Sequence, residues 1–303
     1  MREKVMSLSE AAKLIRSGST LAVGGFALSM HPMGLIHQLI RENVKDLTIM
    51  GFSQGIDADI LAGAGCLKRV ESPSVTFEMF GLAPNFRRAV EQGQVEVRDY
   101  SETAIMARFY AGSMGLTFIH SSAMLGSDAA KYIPEIKEFN CPLTGRKYQA
   151  LPPATPDFTI IHAHAADAYG NVLFPPKTQS TYSFFSFHEQ LFAWATKNVI
   201  VTTEKIVDHE DVLANSWANL IPAFRTVAVV ELPFGAHPCS WPHLYDHDLE
   251  YLQSYVEASR TPEGFQKHLD KYVYGVKDHE EYLNLVGGIG RLMKLRTSGG
   301  IAL

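Results

Sequence analysis

Two glycines are the residues of this sequence best placed to bring backbone close to a bound small molecule. Gly24 and Gly25 follow a Leu-Ala-Val run at residues 21–23, which predicts a strand covered on both faces. Because glycine has no Cβ, a Gly-Gly pair lets backbone N–H groups approach a carbonyl or phosphate oxygen. The same pair would also serve as a plain turn between a strand and a helix, and that interpretation stays open.

Two glutamates stand at predicted element ends, where a carboxylate could do acid–base work. Residues 75–78 predict a short strand with Glu78 partly buried at its end, where Arg87 or a helix dipole could equally be its partner. Ser101 predicts an N-cap, so Glu102 lies in the first turn of a helix that runs to residue 111. Since a helix dipole favours a carboxylate there, Glu102 is either catalytic or simply a helix N-terminal residue.

The histidines offer weaker candidates. His162 and His164 point to one face of a predicted strand, but no third metal ligand accompanies them, so we predict a structural role. His237 lies in a Gly-Ala-His-Pro run that follows a predicted strand at residues 226–230. We expect it at the lip of a cleft, where a catalytic role and that of a neutral, hydrogen-bonded histidine are both open.

The composition excludes several classes of protein. The chain has 303 residues, 46% of them hydrophobic and 19% charged, which allows a sizeable core and argues against disorder. Its net charge of −5 argues against general affinity for nucleic acid or anionic membranes. No apolar run reaches the roughly 18 residues of a membrane span, and the N-terminus does not resemble a signal peptide. Three widely spaced cysteines fit reduced thiols, so we predict a cytoplasmic protein.

The elements that must position these residues alternate between strand and helix. Apolar residues at helical spacing in 35–42 link the strand at 21–23 to another at 47–52, and such a βαβ unit implies a parallel sheet. Ser7 and Glu10 predict a capping box for the first helix. The other predictions are strands at 95–100, 116–120, 158–167, 198–204 and 226–230; helices at 57–64 and 249–285, and one that follows the run 81–89 and stops at residue 93; a hairpin at 136–150; a loop at 177–189 leading into a helix at 190–196; and a loose end at 296–303.

Four motifs along the chain resemble those of one enzyme family. They are Gly-Gly-Phe at 24–26, Gly-Leu-Ala-Pro-Asn-Phe-Arg-Arg at 81–88, Gly-Ser-Asp at 126–128 and Gly-Ala-His-Pro at 235–238. Together they resemble the first, or α, subunits of class I coenzyme A transferases that act on glutaconate or 3-oxoadipate. The resemblance implies an α/β fold with an open, mostly parallel sheet and helices on both faces. It further implies a single domain over 1–303, with a sheet core to about 240 and a helical segment at about 245–295.

The resemblance also implies a reaction and a partner. Such enzymes move coenzyme A between two carboxylic acids through a glutamyl–CoA thioester, with the CoA thioester as substrate and no permanently bound cofactor or metal. The family supplies that glutamate from a β subunit, next to glycines that this chain lacks around Glu102. We therefore expect a separate β chain in an α2β2 assembly. Resemblance places these residues at the substrate cleft: Gly24, Gly25, Phe26, Glu78, Ser127, Asp128 and His237.

Two other functions stay open. A related two-subunit hydrolase, which opens a ring in a cyclic β-keto acyl-CoA, carries a catalytic glutamate at the place of Glu102. That residue would then act as a general base on water or substrate. A sugar-phosphate isomerase or a ligand-sensing domain on the same fold is a third possibility, although the glycine turns lack the nearby lysines or arginines that a phosphate pocket needs.

Overall fold

A seven-stranded parallel sheet forms the centre of the molecule. The structure, a computed structural model, describes residues 2–174 and 182–296, with the backbone alone for 182–186. The strands described are β1 Thr20–Val23, β2 Leu47–Met50, β3 Leu67–Glu71, β4 Glu96–Arg98, β5 Ile119–Ser121, β6 Lys137–Asn140, β7 Lys147–Leu151, β8 Phe158–Ala163, β9 Ala165–Asp167, β10 Val172–Leu173, β11 Val199–Thr203, β12 Ile206–Val207, β13 Asn219–Ile221 and β14 Thr226–Glu231. The central sheet runs in the order β14-β11-β8-β1-β2-β3-β4.

Helices cover both faces of this sheet, as the sequence predicts. Those described are α1 Leu8–Ala12, α2 Met33–Arg41, α3 Ile56–Gly63, α4 Pro84–Glu91, α5 Glu102–Ser113, α6 Tyr182–Ala195, α7 His209–Ala214, α8 Leu249–Ser259, α9 Pro262–Leu269, α10 His279–Leu285 and α11 Gly288–Leu292. None of the helices in these described ranges is long and apolar enough to cross a membrane.

Strand β1 shows how period-2 patterning divides the core. Leu21 and Val23 face the larger apolar core with helices α1 to α4, whereas Ala22 faces a second core that α5 and α6 cover. All three residues are buried, and the one polar residue of the strand, Thr20, is the partly buried residue at its start. We call this second core the α5–α6 core; its buried members include Met50, Phe52, Tyr100, Ala104, Ile105, Phe109, Met124, Ile133 and Phe192.

Two small sheets extend the central one. Strands β5, β7 and β6 form an antiparallel sheet, which confirms the predicted hairpin. Strands β12, β9, β10 and β13 form a mixed sheet. The C-terminal helices pack on the larger core, where the Tyr255 hydroxyl donates to Asp59 at 2.8 Å. The α/β fold class is therefore confirmed, together with the helical C-terminal segment.

Four predicted elements differ from the structure. The strand predicted at 158–167 is divided into β8 and β9, which belong to different sheets. The third strand lies at Leu67–Glu71 and not at residues 75–78, because ion pairs neutralise its charged side chains, as Glu71 shows with Arg108 at 2.7 Å. The strand predicted at 116–120 begins at Ile119 and belongs to the small antiparallel sheet. Residues 182–189 are helical and not a loop, while 177–181 and 297–303 lie outside the described residues.

Candidate active site at the carboxyl edge of the sheet

The strand order reverses at β1, and this marks the edge where a ligand would bind. Strands β2, β3 and β4 follow one another outward on one side of β1, whereas β8, β11 and β14 follow on the other side. In open α/β sheets, ligands occupy the crevice at the carboxyl ends of the strands at such a switch point. Gly24 is the first residue after β1, so the glycine turn stands at this crevice.

The glycine turn is tightly bonded within the chain. Gly24 N–H donates to Ile160 O at 2.9 Å and Gly25 N–H donates to Glu189 Oε1 at 2.7 Å. Gly25 needs its missing side chain, because its φ of +105° is left-handed and a Cβ would stand 2.5 Å from His31 Nδ1. Both glycines are buried. The expectation that their N–H groups are open to a ligand is therefore not met in this conformation.

Glu189 is the site residue that the sequence interpretation misses. It lies in α6, is only 1% exposed, and its Oε2 has no hydrogen-bond partner among the described residues. Burial raises the pKa of its carboxyl group to about 8, against the opposing effect of the Gly25 hydrogen bond. A neutral carboxylic acid therefore occupies the space beside Gly24 at neutral pH.

Phe26 is the part of the turn that reaches the surface. Its ring is half-buried and stacks on Phe52, with centroids 5.6 Å apart. Phe52 stacks in turn on His188, with centroids 4.1 Å apart. Burial lowers the pKa of His188 to about 4, so the stack is uncharged at neutral pH. The turn thus presents an apolar wall at the border of the α5–α6 core.

Gln54 places an amide group next to the end of β1. The residue is fully buried, and neither its Nε2 nor its Oε1 has a hydrogen-bond partner among the described residues. Gly51 makes room for this amide, because a Cβ there would lie 1.7 Å from Gln54 Nε2 and 3.1 Å from Val23 O. A buried amide without partners is costly, so this position suits a group that a ligand could satisfy.

Glu102 lies at the same edge of the sheet but not beside the glycine turn. It is exposed in the first turn of α5, and the predicted cap is confirmed because Ser101 Oγ accepts from Ala104 N–H at 3.3 Å. Helix α5 follows β4, which is three strands away from β1. With strands about 4.8 Å apart, β4 lies roughly 14 Å along the sheet from β1.

The other predicted site residues are dispersed. Ser127 and Asp128 are exposed in a turn; Ser127 borders a cavity of about 450 Å³ together with buried Gln149. Asp128 pairs with Lys131 at 2.5 Å. Glu78 is exposed with a left-handed φ of +49°, so the expectation of a partly buried strand end is wrong. Its suggested partner does not join it, because Arg87 pairs with Glu91 at 2.8 Å.

His237 does not lie at the lip of a cleft. It is 1% exposed, its Nδ1 lies 2.7 Å from the Tyr282 hydroxyl and its Nε2 lies 2.9 Å from Asp248 Oδ2. Although the Asp248 carboxylate opposes it, burial lowers the pKa of His237. The residue joins the last strand of the sheet to the C-terminal helices. His162 likewise makes structural contacts, since its ring nitrogens form hydrogen bonds with the Thr202 hydroxyl and the Glu204 carboxylate.

Comparison with known proteins identifies the family. The family model described as "Coenzyme A transferase" matches residues 5–232. The chain belongs to the coenzyme A transferase family. The A subunit of glutaconate CoA-transferase from Acidaminococcus fermentans is 32% identical, covering 98% of this chain and 96% of that protein. The crystal structure of that enzyme superposes with a TM-score of 0.91 over 98% of this chain and 97% of that one.

Other known proteins are similar over most of the chain. The A subunit of 3-oxoadipate CoA-transferase from Pseudomonas knackmussii is 32% identical over 92% of this chain and 96% of that protein. An uncharacterised protein of Archaeoglobus fulgidus is 40% identical over 98% of this chain, which spans 65% of that protein's length. The IpdA subunit of the cholesterol ring-cleaving hydrolase of Rhodococcus jostii is 27% identical over 91% of this chain and 94% of that subunit.

These comparisons confirm the family that the motifs predict, and with it the type of protein, a CoA-transferase subunit. The roles of individual residues stay predictions. A signal for Glu189 does exist in the sequence, because residues 188, 189, 192 and 193 repeat at helical spacing and form the buried face of α6. A glutamate on the buried face of a helix is unusual, and it indicates a carboxyl group whose pKa is perturbed.

The described residues contain no group of three or more histidine, cysteine, aspartate or glutamate side chains that could hold a metal ion.

Proposed function

We propose that this chain is the α-type subunit of a heteromeric CoA-transferase that moves coenzyme A between carboxylic acids of the glutaconate or 3-oxoacid type. A separate β subunit supplies the glutamate nucleophile, and two copies of each chain form an α2β2 assembly in the cytoplasm. The observation that carries the proposal is the glycine turn at the switch point of a sheet that superposes on glutaconate CoA-transferase. Glu102 is exposed at the start of the helix that follows β4, and β4 lies three strands from the turn, which favours a nucleophile from another chain.

The reaction needs little beyond an exposed carboxylate and hydrogen-bond donors. The β-chain glutamate attacks the thioester carbonyl of the acyl-CoA, the CoA thiolate leaves, and a mixed anhydride forms. The thiolate then attacks the glutamyl carbonyl, which releases the first acid and leaves a glutamyl–CoA thioester. The second acid reverses these steps and leaves as a new acyl-CoA. Each attack on a carbonyl group forms an oxyanion, which backbone or amide N–H donors must stabilise.

This chain contributes the acyl side of the cleft. The Phe26 ring, supported by Phe52, offers an apolar wall for the carbon chain of the acid, and the buried turn at Gly24 and Gly25 holds that wall in place. The Gln54 amide has N–H groups without a partner in the described part of the chain, and a substrate carbonyl or carboxylate oxygen would accept a hydrogen bond from them. Ser127 offers a hydroxyl at the separate cavity that it borders with Gln149.

A hydrolase is the second candidate, and one observation favours it. Glu102 is exposed at the carboxyl edge of the sheet, where a general base could reach water. The two candidates differ in what Glu102 does. In the transferase it is a helix N-terminal carboxylate, and its replacement changes little. In the hydrolase it is essential, and the general-base contribution of about 10²–10⁴-fold is lost with it.

The decisive experiment uses the complex of this chain with the β chain encoded beside it. The complex is incubated with acyl-CoA, treated with borohydride and digested for mass spectrometry. Reduction of a β-chain glutamate, with at most a few-fold loss of transfer in Glu102→Gln, supports the transferase. A loss of at least about 100-fold in Glu102→Gln without any trapped glutamate supports the hydrolase. Glu210→Gln is the matched control, because Glu210 is an exposed glutamate in the first turn of α7.

A further inference from the structure

Glu189 occupies the space that the absent side chain of Gly24 leaves. A Cβ at Gly24 would stand 2.2 Å from Glu189 Oε2 and 2.8 Å from Oε1. The Oε1 atom accepts the Gly25 N–H at 2.7 Å, while Oε2 has no partner among the described residues. The carboxyl group is therefore in direct contact with the backbone whose position determines where the Phe26 ring lies.

No described cation compensates a charge on Glu189. The titratable groups on the elements packed around the turn are His31 just before α2, Asp57 in α3 and His188 in α6. His31 is engaged elsewhere, with Nδ1 2.8 Å from Gly24 O and Nε2 3.5 Å from Asp57 Oδ1. Burial raises the pKa of Asp57 and lowers that of His188 to about 4. Among the described residues, Glu189 takes part in no ion pair.

We propose that Glu189 is a positioning residue for the acyl site: its carboxyl group fixes the Gly25 N–H, and through it the wall that Phe26 presents to the substrate. The proposal rests on the proposed function, because it needs this edge of the sheet to be the acyl site. The neighbouring residue acts on the same wall, since His188 supports Phe52 and Phe52 supports Phe26. Two consecutive residues of α6 thus hold both the backbone and the ring of the turn.

Ionisation of Glu189 would disturb this arrangement. A carboxylate without a cation in a buried site must draw in water or move, and either change displaces the turn. Because burial raises its pKa to about 8, the folded chain keeps a proton that the unfolded chain releases near pH 4.5. The contribution of Glu189 to stability therefore decreases as the pH rises from about 4.5 to about 8, and it stays constant above that range.

Glu189→Gln isolates this effect, because glutamine has nearly the same shape and an oxygen that accepts the Gly25 N–H, but does not ionise. We expect kcat/KM of the wild-type αβ complex to fall about tenfold between pH 7 and pH 9, since a group of pKa about 8 loses about nine-tenths of its protonated form across that range. In Glu189→Gln the ratio of the two values should stay near one. Glu257→Gln, at an exposed position of α8, should follow the wild type.

The free energy of unfolding of the full-length chain gives a readout that needs no activity. The free energy of unfolding of Glu189→Gln minus that of the wild type should increase from pH 5 to pH 8, because only the wild type loses stability over this range. If the complex transfers coenzyme A but both proteins lose activity equally at pH 9, the positioning role is wrong. If no acid accepts coenzyme A while the stability difference grows as expected, the proposed function fails although the buried proton is real. A flat stability difference overturns the inference in either case.

Discussion

His162 Nε2 lies 2.7 Å from Glu204 Oε1, and through its bond with Phe234 N–H, Glu204 connects this position in the centre of the sheet to the segment that follows β14. His162 belongs to β8 and is fully buried, and Glu204 comes directly after β11. Glu204 also accepts from the Tyr245 hydroxyl at 2.7 Å and from Phe234 N–H at 3.1 Å. Burial alone would raise the pKa of Glu204, but the His162 hydrogen bond and charge outweigh it and lower that pKa.

Replacing Glu204 by glutamine should destabilise the fold. Oε1 of Glu204 faces His162 and Tyr245, and Oε2 accepts from Phe234 N–H. Glutamine has an NH2 group in place of one of these oxygens, so it cannot accept from all three donors. We expect a loss of about 1–3 kcal/mol in the free energy of unfolding, the cost of leaving a buried donor unpaired. Urea denaturation at pH 7 measures it. Glu280→Gln, at an exposed position of α10, should change stability by less than about 0.5 kcal/mol, and a similar loss there would refute the assignment.

Asp248 should make the fold sensitive to acid. Burial would raise the pKa of its carboxyl group, but hydrogen bonds from His237 and Arg291 outweigh burial and hold the pKa well below its usual range. A carboxyl group whose pKa is lower in the folded chain than in the unfolded chain stabilises the fold. That stabilisation is fully present above the pKa of the unfolded chain, about 3.9, and is lost as the pH falls through the pKa of the folded chain. The urea concentration at the unfolding midpoint, measured from pH 6 down to pH 2.5, should therefore decrease once the pH is below about 4.

Asp248→Asn separates this contribution from the other carboxylates. The variant should be less stable than the wild type at pH 6, and the difference should shrink as the pH falls, because asparagine has no proton to bind. Equal slopes for the two proteins between pH 4 and pH 2.5 would show that Asp248 is not responsible. Glu250→Gln is the matched control: Glu250 contacts the same Arg291 at 3.2 Å, but its side chain is 90% exposed.

Short sequence patterns correctly predict the parts of the fold that depend on interactions between residues close in sequence. The apolar run of β1, the capping box of Ser7 and Glu10, and the cap at Ser101 are all confirmed, because each depends on residues close in sequence. Strand β3 escapes prediction because its charged residues are neutralised by partners far along the chain, such as Arg108, which lies 37 positions from Glu71.

The site shows the same limit. The turn at residues 24–26 is visible in the sequence, but the acid that holds it comes from 164 positions away. The sequence predicts that helix α6 begins at residue 190, which wrongly assigns Glu189 to a loop. Likewise the position of His237 depends on Asp248 and on Tyr282, which is 45 positions away, and a sequence motif alone could not place it. Contacts between distant segments decide which motif residues are buried.

The Ser101 cap should contribute measurably to stability. Ser101 Oγ accepts the Ala104 N–H, one of the helix N-terminal donors without a partner in the helix itself. Ser101→Ala should cost about 1 kcal/mol in the free energy of unfolding. Ser254→Ala is the control, because Ser254 is exposed in the interior of α8, where alanine is the better helix former. If both variants change stability by the same amount and in the same direction, the cap contributes nothing.

The two glycines of the turn should respond differently when Glu189 is shortened. Gly24 has no left-handed φ, and the obstacle to a side chain there is the Glu189 carboxyl group. Gly24→Ala should therefore cost about 1–3 kcal/mol alone, as overpacking does, and much less in a Glu189→Ala background. Gly25→Ala is strained in either background, because its φ is +105° and its neighbours are His31 and the backbone of Ser29.

A double-mutant cycle measures this difference. Unfolding free energies of the single and double variants should give a coupling energy of at least about 1 kcal/mol for Gly24→Ala with Glu189→Ala, because the two changes share one space. The same cycle with Gly25→Ala should show no such relief in the Glu189→Ala background, since left-handed backbone strain does not depend on the Glu189 side chain, and its coupling should reflect only the Gly25 N–H bond to Glu189. Strong coupling at Gly25 and additivity at Gly24 would mean that Glu189 is not seated against Gly24, and the packing described for the turn would then be wrong.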